Sequence, residues 1–233
     1  MERHVLINAL IQISAAKSYL EIGVQRGVTF KQVRAPFKVA VDPKFLFEPI
    51  AVPGVEEYYP CSSNEFFEKN GESEFDVVFI DGLHTFEQSL RDLVNALTIC
   101  HKRSLIVLDD TMPLDWAASL PKMKDSFFVR TERGEENRSW MGDVYKTVAF
   151  VSEFMPTLHY ATIRGGHGMT VMWQGSRRKI QKGWTISEIA GADYLWFLSN
   201  KSVMNVMTLD QICESLRIRF PVTADSVAGS AEA

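Results

Sequence analysis

The sequence predicts a doubly wound α/β fold: a mostly parallel, seven-stranded sheet with helices on both faces and an antiparallel hairpin at the C-terminal side. Three observations carry this expectation. The runs FDVVFID (75–81) and SLIVLDD (104–110) are continuously apolar, as in strands buried on both faces of a parallel sheet. Helical patterns alternate with such runs, which makes βαβ units. The last two runs, LHYATI (158–163) and MTVMW (169–173), are joined by the glycine-rich turn GGHG (165–168), as in a hairpin.

The elements follow in chain order. VLINALIQISA (5–15) is helix-like, and SYLEIG (18–23) is a short strand ending in glycine, with a helix expected beyond the turn. FKVAVDP (37–43) and VEEYYP (55–60) are the second and third strands. The runs at 75–81 and 104–110 are the fourth and fifth, both ending in aspartate. Between them, Phe86, Leu90, Leu93, Val94 and Leu97 recur at helical spacing in 85–98. Thr85 is placed to cap that helix, with Gln88 completing a capping box. Residues 111–142 form a long connection of the kind that is usually functional or disordered. The segment 184–219 reads as helices packed on the outside or used in self-association. One domain therefore spans 1–220, and the small, polar tail 221–233 is expected to be disordered.

Composition limits the function. Twenty-five basic against 29 acidic residues give a net charge of −4, which offers no cationic surface for nucleic acid. No apolar run approaches the ~20 residues of a membrane span. Cys61, Cys100 and Cys213 fit neither a disulfide framework nor a zinc site and suggest a reducing compartment. With no signal-peptide pattern at the N-terminus, a cytoplasmic protein acting on a small molecule is expected.

The first glycine turn, Glu21-Ile22-Gly23-Val24-Gln25-Arg26-Gly27, suits close approach of backbone to a ligand. Asp42 ends the next strand 19 residues after Gly23, where a carboxylate can hold both hydroxyls of a ribose. The same residue also fits a plain Asp-Pro turn. A dinucleotide fingerprint needs a middle glycine, and Gln25 stands there instead. The motif resembles the first motif of class I S-adenosylmethionine-dependent methyltransferases, whose fold is Rossmann-like. That resemblance implies that Glu21, Gly23 and Gly27 form the cofactor turn and that Asp42 holds the ribose. It further implies that Ser62 or Ser63 lies near the adenine and that Asp81 borders the cofactor. The serines serve equally well as a helix cap before Asn64-Glu65.

Asp81 ends the fourth strand, and Asp109 and Asp110 end the fifth. In neighbouring strands these carboxylates crowd one site and repel unless protonated or bridged by a cation. An all-oxygen set favours a hard ion, magnesium first. His84, three residues after Asp81, suits a general base, and a cation nearby would keep it neutral; alternatively it caps a helix or faces solvent. IDGLHTFEQSLRDL followed by VLDD resembles the magnesium-dependent O-methyltransferases that modify sugars in macrolide and aminocoumarin pathways, over about residues 15–175. The resemblance implies Asp81, Asp109 and Asp110 as metal ligands and His84 as the base. Trp140-Met141-Gly142-Asp143-Val144-Tyr145-Lys146 resembles a downstream segment of the same enzymes.

Trp116, Trp140 and Met141 either form a lid over the acceptor or anchor the 111–142 loop. Asp143 and Lys146 start a helix. Gly165-Gly166-His167-Gly168 reads as a turn, and Arg177-Arg178-Lys179 as solvated surface. The expected activity is magnesium-assisted methylation of a hydroxyl on a sugar or small natural product, using S-adenosylmethionine. The rivals are a metal-independent methyltransferase on the same fold, a nicotinamide-dependent oxidoreductase, and a non-catalytic interaction module.

Overall fold

The computed structural model describes residues 1–71, 73–177 and 182–220. The chain opens with α1 (Arg3–Ser14) and β1 (Ser18–Ile22), then makes a single 3-10 turn at Phe30–Gln32 before β2 (Phe37–Val41). The α-helix expected between β1 and β2 is therefore not formed. Gly27, the β-branched pair Val28 and Thr29, and Pro36 leave too short and too poor a helical run. There follow β3 (Glu56–Tyr59), α2 (Ser63–Lys69), β4 (Phe75–Ile80), α3 (Phe86–Thr98) and β5 (Cys100–Leu108). The second half holds α4 (Met123–Glu132), α5 (Tyr145–Phe154), β6 (Leu158–Ile163), β7 (Thr170–Gln174), α6 (Ile186–Ala190), α7 (Tyr194–Ser199), β8 (Val206–Met207) and α8 (Leu209–Arg219).

The strands form one sheet in the order β3-β2-β1-β4-β5-β7-β6-β8. The first five are parallel, β7 runs antiparallel between β5 and β6, and the expected hairpin is present. The eighth strand, two residues parallel to β6, adds one to the expected seven and was too short to leave a pattern. The tail 221–233 lies outside the described residues. Among the described residues no helix is long and apolar enough to cross a membrane.

The continuous apolar runs are explained by burial on both faces. Leu20, Ile22, Val78, Ile80, Ile106 and Leu108 share one core with Phe66 of α2, Leu93 of α3 and Val148 of α5. The alternate residues Tyr19, Val77, Phe79, Leu105 and Val107 share the other with Leu6 and Leu10 of α1 and Leu216 of α8. Each strand residue named is at most 3% exposed, and each side chain so buried contributes about 1.5–3 kcal/mol.

The 111–142 connection is folded rather than open. It contains α4, whose Arg130 is 1% exposed and pairs with Asp115 at 2.8 Å and Glu135 at 2.7 Å. The Trp140 indole donates to Leu120 O at 2.7 Å, and the Met141 and Gly142 amides both donate to Ala118 O at 2.9 Å. Arg177 is not solvated surface. It donates to the carbonyls of Ser152 and Leu158, closing the end of α5, while residues 178 and 179 lie outside the described residues.

Candidate active site

Register aligns the strand ends. Ile22 pairs with Val41 and Ile80, and Ile80 pairs with Leu108, so the next residues, Gly23, Asp42, Asp81 and Asp109, stand in a row. Backbone bonds extend that row one step beyond the strands: Gly23 N to Val41 O at 2.9 Å, Asp81 N to Ile22 O at 2.8 Å and Asp109 N to Ile80 O at 3.0 Å. Strand order reverses between β1 and β4, the place where open α/β sheets bind ligands. A cavity of about 770 Å³ opens there.

Gly23, Asp42, Asp81, His84 and Trp140 all line this cavity. Gly23 has φ +86°, and a Cβ on it would stand 2.0 Å from Asp81 O. Asp42 accepts from Gln25 N at 2.8 Å through Oδ2 and from Lys44 N at 2.7 Å through Oδ1. It does make the strand-end turn. Each oxygen still has a free lone pair to offer the cavity.

Ser62 is the N-cap of α2 in a capping box with Glu65, and it also borders the cavity beside Ser63. Two of the resemblance's cofactor residues lie elsewhere. Gly27 packs under the Phe47 ring and does not line the cavity. Glu21 is buried and accepts from the Tyr19 hydroxyl at 2.6 Å, and loss of water raises its carboxyl to about 8.

The acidic cluster is assembled differently from the expected trio. Asp81 Oδ1 lies 3.2 Å from His84 Nε2, and Asp110 Oδ2 lies 3.1 Å from His84 Nδ1, so the imidazole bridges the two carboxylates. Asp110 reaches inward because its backbone is left-handed, with φ +56°. Asp109 turns instead to Arg3, whose Nε donates to Asp109 Oδ2 and lies 3.6 Å from Asp81 Oδ2. Burial opposes charge on His84, but the hydrogen bond to Asp81 and the charges of Asp110 and Asp81 outweigh it and raise the group to about 9. The two carboxylates thus favour the imidazolium, and a cation between them would oppose it. Asp109 is pushed up by desolvation and by Asp81 and Asp110, against the pull of Arg3.

Two neighbours position His84. Trp140 stacks on its ring at 5.1 Å between centroids, with an interplanar angle of 23°. Gly142, at φ +60°, passes so close that a Cβ would stand 1.6 Å from His84 O. Of the three lid candidates only Trp140 lines the cavity; Met141 is core and Trp116 lies away from it. Asp143 holds the start of α3, accepting from Phe86 N at 2.7 Å, and pairs with Lys146 at 2.9 Å.

Two residues were missed by sequence reasoning. Arg3 gave no signal, since nothing local links it to aspartates far along the chain. His167, read as part of a turn, stands with Nδ1 3.2 Å from Asp110 Oδ1; the histidine inside a run of glycines was the available clue.

The donor set fits a divalent cation. Asp81, His84 and Asp110 each offer one ligand atom, all within 4.8 Å of one another. Asp110 Oδ1 is buried, and the contact it makes is the 3.2 Å one to His167 Nδ1. The two carboxylates suit magnesium or manganese, while the imidazole that stands in place of the third expected oxygen donor is a ligand magnesium takes less readily. Asp109, the third expected ligand, is held by Arg3 outside this group.

Residues 20–111 match the family model described as a methyltransferase domain, a span that runs from β1 past Asp110. No curated protein matches the sequence. A candidate caffeoyl-CoA O-methyltransferase from Staphylococcus aureus is 14% identical, with a TM-score of 0.54 over 75% of this chain and 85% of that one. The O-methyltransferase from Bacillus cereus in complex with SAH is 12% identical, with a TM-score of 0.51 over 75% of this chain and 82% of that one. The cofactor-bound Rv0187 protein from MTB is 14% identical, with a TM-score of 0.53 over 76% of this chain and 82% of that one. The parallel sheet, its antiparallel C-terminal strands and the flanking helices are those of the Rossmann-like methyltransferase fold.

Proposed function

We propose that this protein is an S-adenosylmethionine-dependent O-methyltransferase that methylates a hydroxyl of a sugar or small natural product with the help of a divalent cation, magnesium first. The observation that carries the reading is the single cavity running from Asp42 to the Asp81–His84 pair. It joins a carboxylate suited to a ribose with a charged cluster suited to an acceptor hydroxyl. The methyltransferase-domain match over 20–111 and the SAH complex of the Bacillus cereus structure support the choice of cofactor.

In this reading Asp42 would hold the ribose hydroxyls, Ser62 and Ser63 would border the adenine, and Gly23 and Asp81 would border the sulfonium end. The cofactor would supply an electrophilic methyl group to the acceptor oxygen, the C–S bond breaking as the C–O bond forms with S-adenosylhomocysteine as the leaving group, and His84 would take the acceptor's proton. Aligning the two reactants supplies much of the acceleration. His84 must first give up one of the two protons that its facing carboxylates retain. A cation held by Asp81 and Asp110 would offset those carboxylates and polarise the acceptor hydroxyl.

The test is transfer of a labelled methyl group from S-adenosylmethionine to a panel of sugars and small hydroxylated natural products, with and without a chelator. Transfer that stops in chelator and returns with magnesium is expected. Transfer undiminished in chelator would remove the cation and leave a metal-independent methyltransferase. No transfer by a sample that also fails to bind the cofactor would overturn the reading.

A further inference from the structure

We propose that Arg3 is a built-in counter-ion of the acidic cluster that a divalent cation has to displace, so that this one side chain sets the metal affinity of the site. The inference rests on the metal reading above and concerns how that same site is governed.

Arg3 opens α1, and the helix is pinned to the sheet by Leu6, Ile7 and Leu10, all fully buried. Its backbone therefore holds a fixed place above the ends of β4 and β5. The guanidinium donates to Asp109 and lies 3.6 Å from Asp81 Oδ2, while His84 takes Asp81 Oδ1. One oxygen of Asp81 thus already faces a guanidinium and the other an imidazole nitrogen. A guanidinium does not lose its proton in proteins, so it can leave a second cation only by moving.

There is room to move. The Arg3 side chain is 39% exposed and walls two cavities, the large one already described and a second of about 260 Å³ beside Thr29 and His167. It can swing into either without disturbing α1. A divalent ion placed on Asp81 and Asp110 would stand within a few ångströms of it, and like charges at that range repel strongly away from bulk water. Metal binding and Arg3 displacement are then one exchange. The measured affinity is that of the exchange, lower than the carboxylates alone would give.

The test is manganese binding, followed by the loss of the free-ion paramagnetic resonance signal, in the wild type, Arg3→Gln and Arg3→Lys, with folding checked by circular dichroism. Arg3→Gln is expected to bind manganese at least about tenfold tighter than the wild type, a difference of about 1.4 kcal/mol. Arg3→Lys, which keeps the charge, is expected to stay within about threefold of the wild type. Equal affinity in the wild type and Arg3→Gln, or weaker binding in Arg3→Gln, would overturn the role of Arg3 while leaving the metal site standing. No binding by any folded form would remove the metal reading and this inference with it.

A second measurement needs no variant. In ¹⁵N-labelled wild type, the Arg3 Nε–H resonance is expected to move as magnesium is added. A resonance that stays fixed while magnesium binds elsewhere in the cluster would overturn the exchange.

Discussion

Replacing Gly23 by alanine tests whether the cofactor turn is built as described. The new Cβ would stand 2.0 Å from Asp81 O, 2.5 Å from Asp81 C and 2.8 Å from Gly82 Cα. All three are backbone atoms, so no side chain can rotate away. Reaching even 3.0 Å requires the ends of β1 and β4 to part by about 1 Å, beyond what the 2.8 Å bond from Asp81 N to Ile22 O can follow. The left-handed φ of +86° adds about 1 kcal/mol for a residue with a Cβ. The lost bond adds about 0.5–1.5 kcal/mol.

With disturbed packing, the sum comes to about 2–4 kcal/mol, or roughly 5–12 °C in Tm for a chain of this size. Because Asp81 itself moves, affinity for S-adenosylmethionine should fall at least about tenfold. The control is Gly27→Ala. Its φ of +70° and its 2.8 Å approach to the Phe47 ring cost stability, but it does not line the cavity. Its affinity should stay within about threefold of the wild type. Thermal melts and calorimetric titration read both quantities. Wild-type affinity in folded Gly23→Ala, or an equal loss in Gly27→Ala, would refute the placement of the cofactor turn.

Three further outcomes follow from the site. His84→Ala should lower methyl transfer by about 10²–10⁴-fold while cofactor affinity barely changes; full turnover would take His84 out of the mechanism. Asp110→Asn should raise the magnesium needed for half-maximal activity at least about tenfold, and activity unchanged in chelator would count against the cation. Glu21 binds its proton up to about pH 8 in the fold, against an ordinary 4.5 when unfolded. The folded chain therefore holds a proton that the unfolded chain lacks, and stability falls as pH rises through that window. Glu21→Gln should consequently gain on the wild type by at least about 1 kcal/mol between pH 5 and 8. Parallel denaturation curves across that range would contradict the assignment.

The strand ends were legible because the sequence marks them directly. FDVVFID and SLIVLDD are apolar up to their aspartates, and a parallel register then carries Asp42, Asp81 and Asp109 to one edge. The difference between Asp109 and Asp110 was not legible. It depends on a left-handed φ at Asp110, adopted by a residue type that only occasionally does so. Arg3 and Asp109 are 106 residues apart and meet only because α1 packs across β4 and β5. Sequence periodicity reports a helix's apolar face but not where its first residue lands.

α4 escaped notice inside 111–142 because its sequence, MKDSFFVRTE, has almost no apolar periodicity. It is held largely by the ion pairs of buried Arg130. The helix expected after Gly23 was the opposite error, a fold-level habit imposed on residues 24–36 that do not sustain a helical run.

The central claim is that the cavity between Asp42 and Asp81 binds S-adenosylmethionine. Calorimetric titration of the folded protein with that cofactor, with and without magnesium and with NAD as control, tests it most directly. The account predicts one site per chain for S-adenosylmethionine and no heat from NAD. A folded sample that binds NAD, or that leaves S-adenosylmethionine unbound, would contradict it.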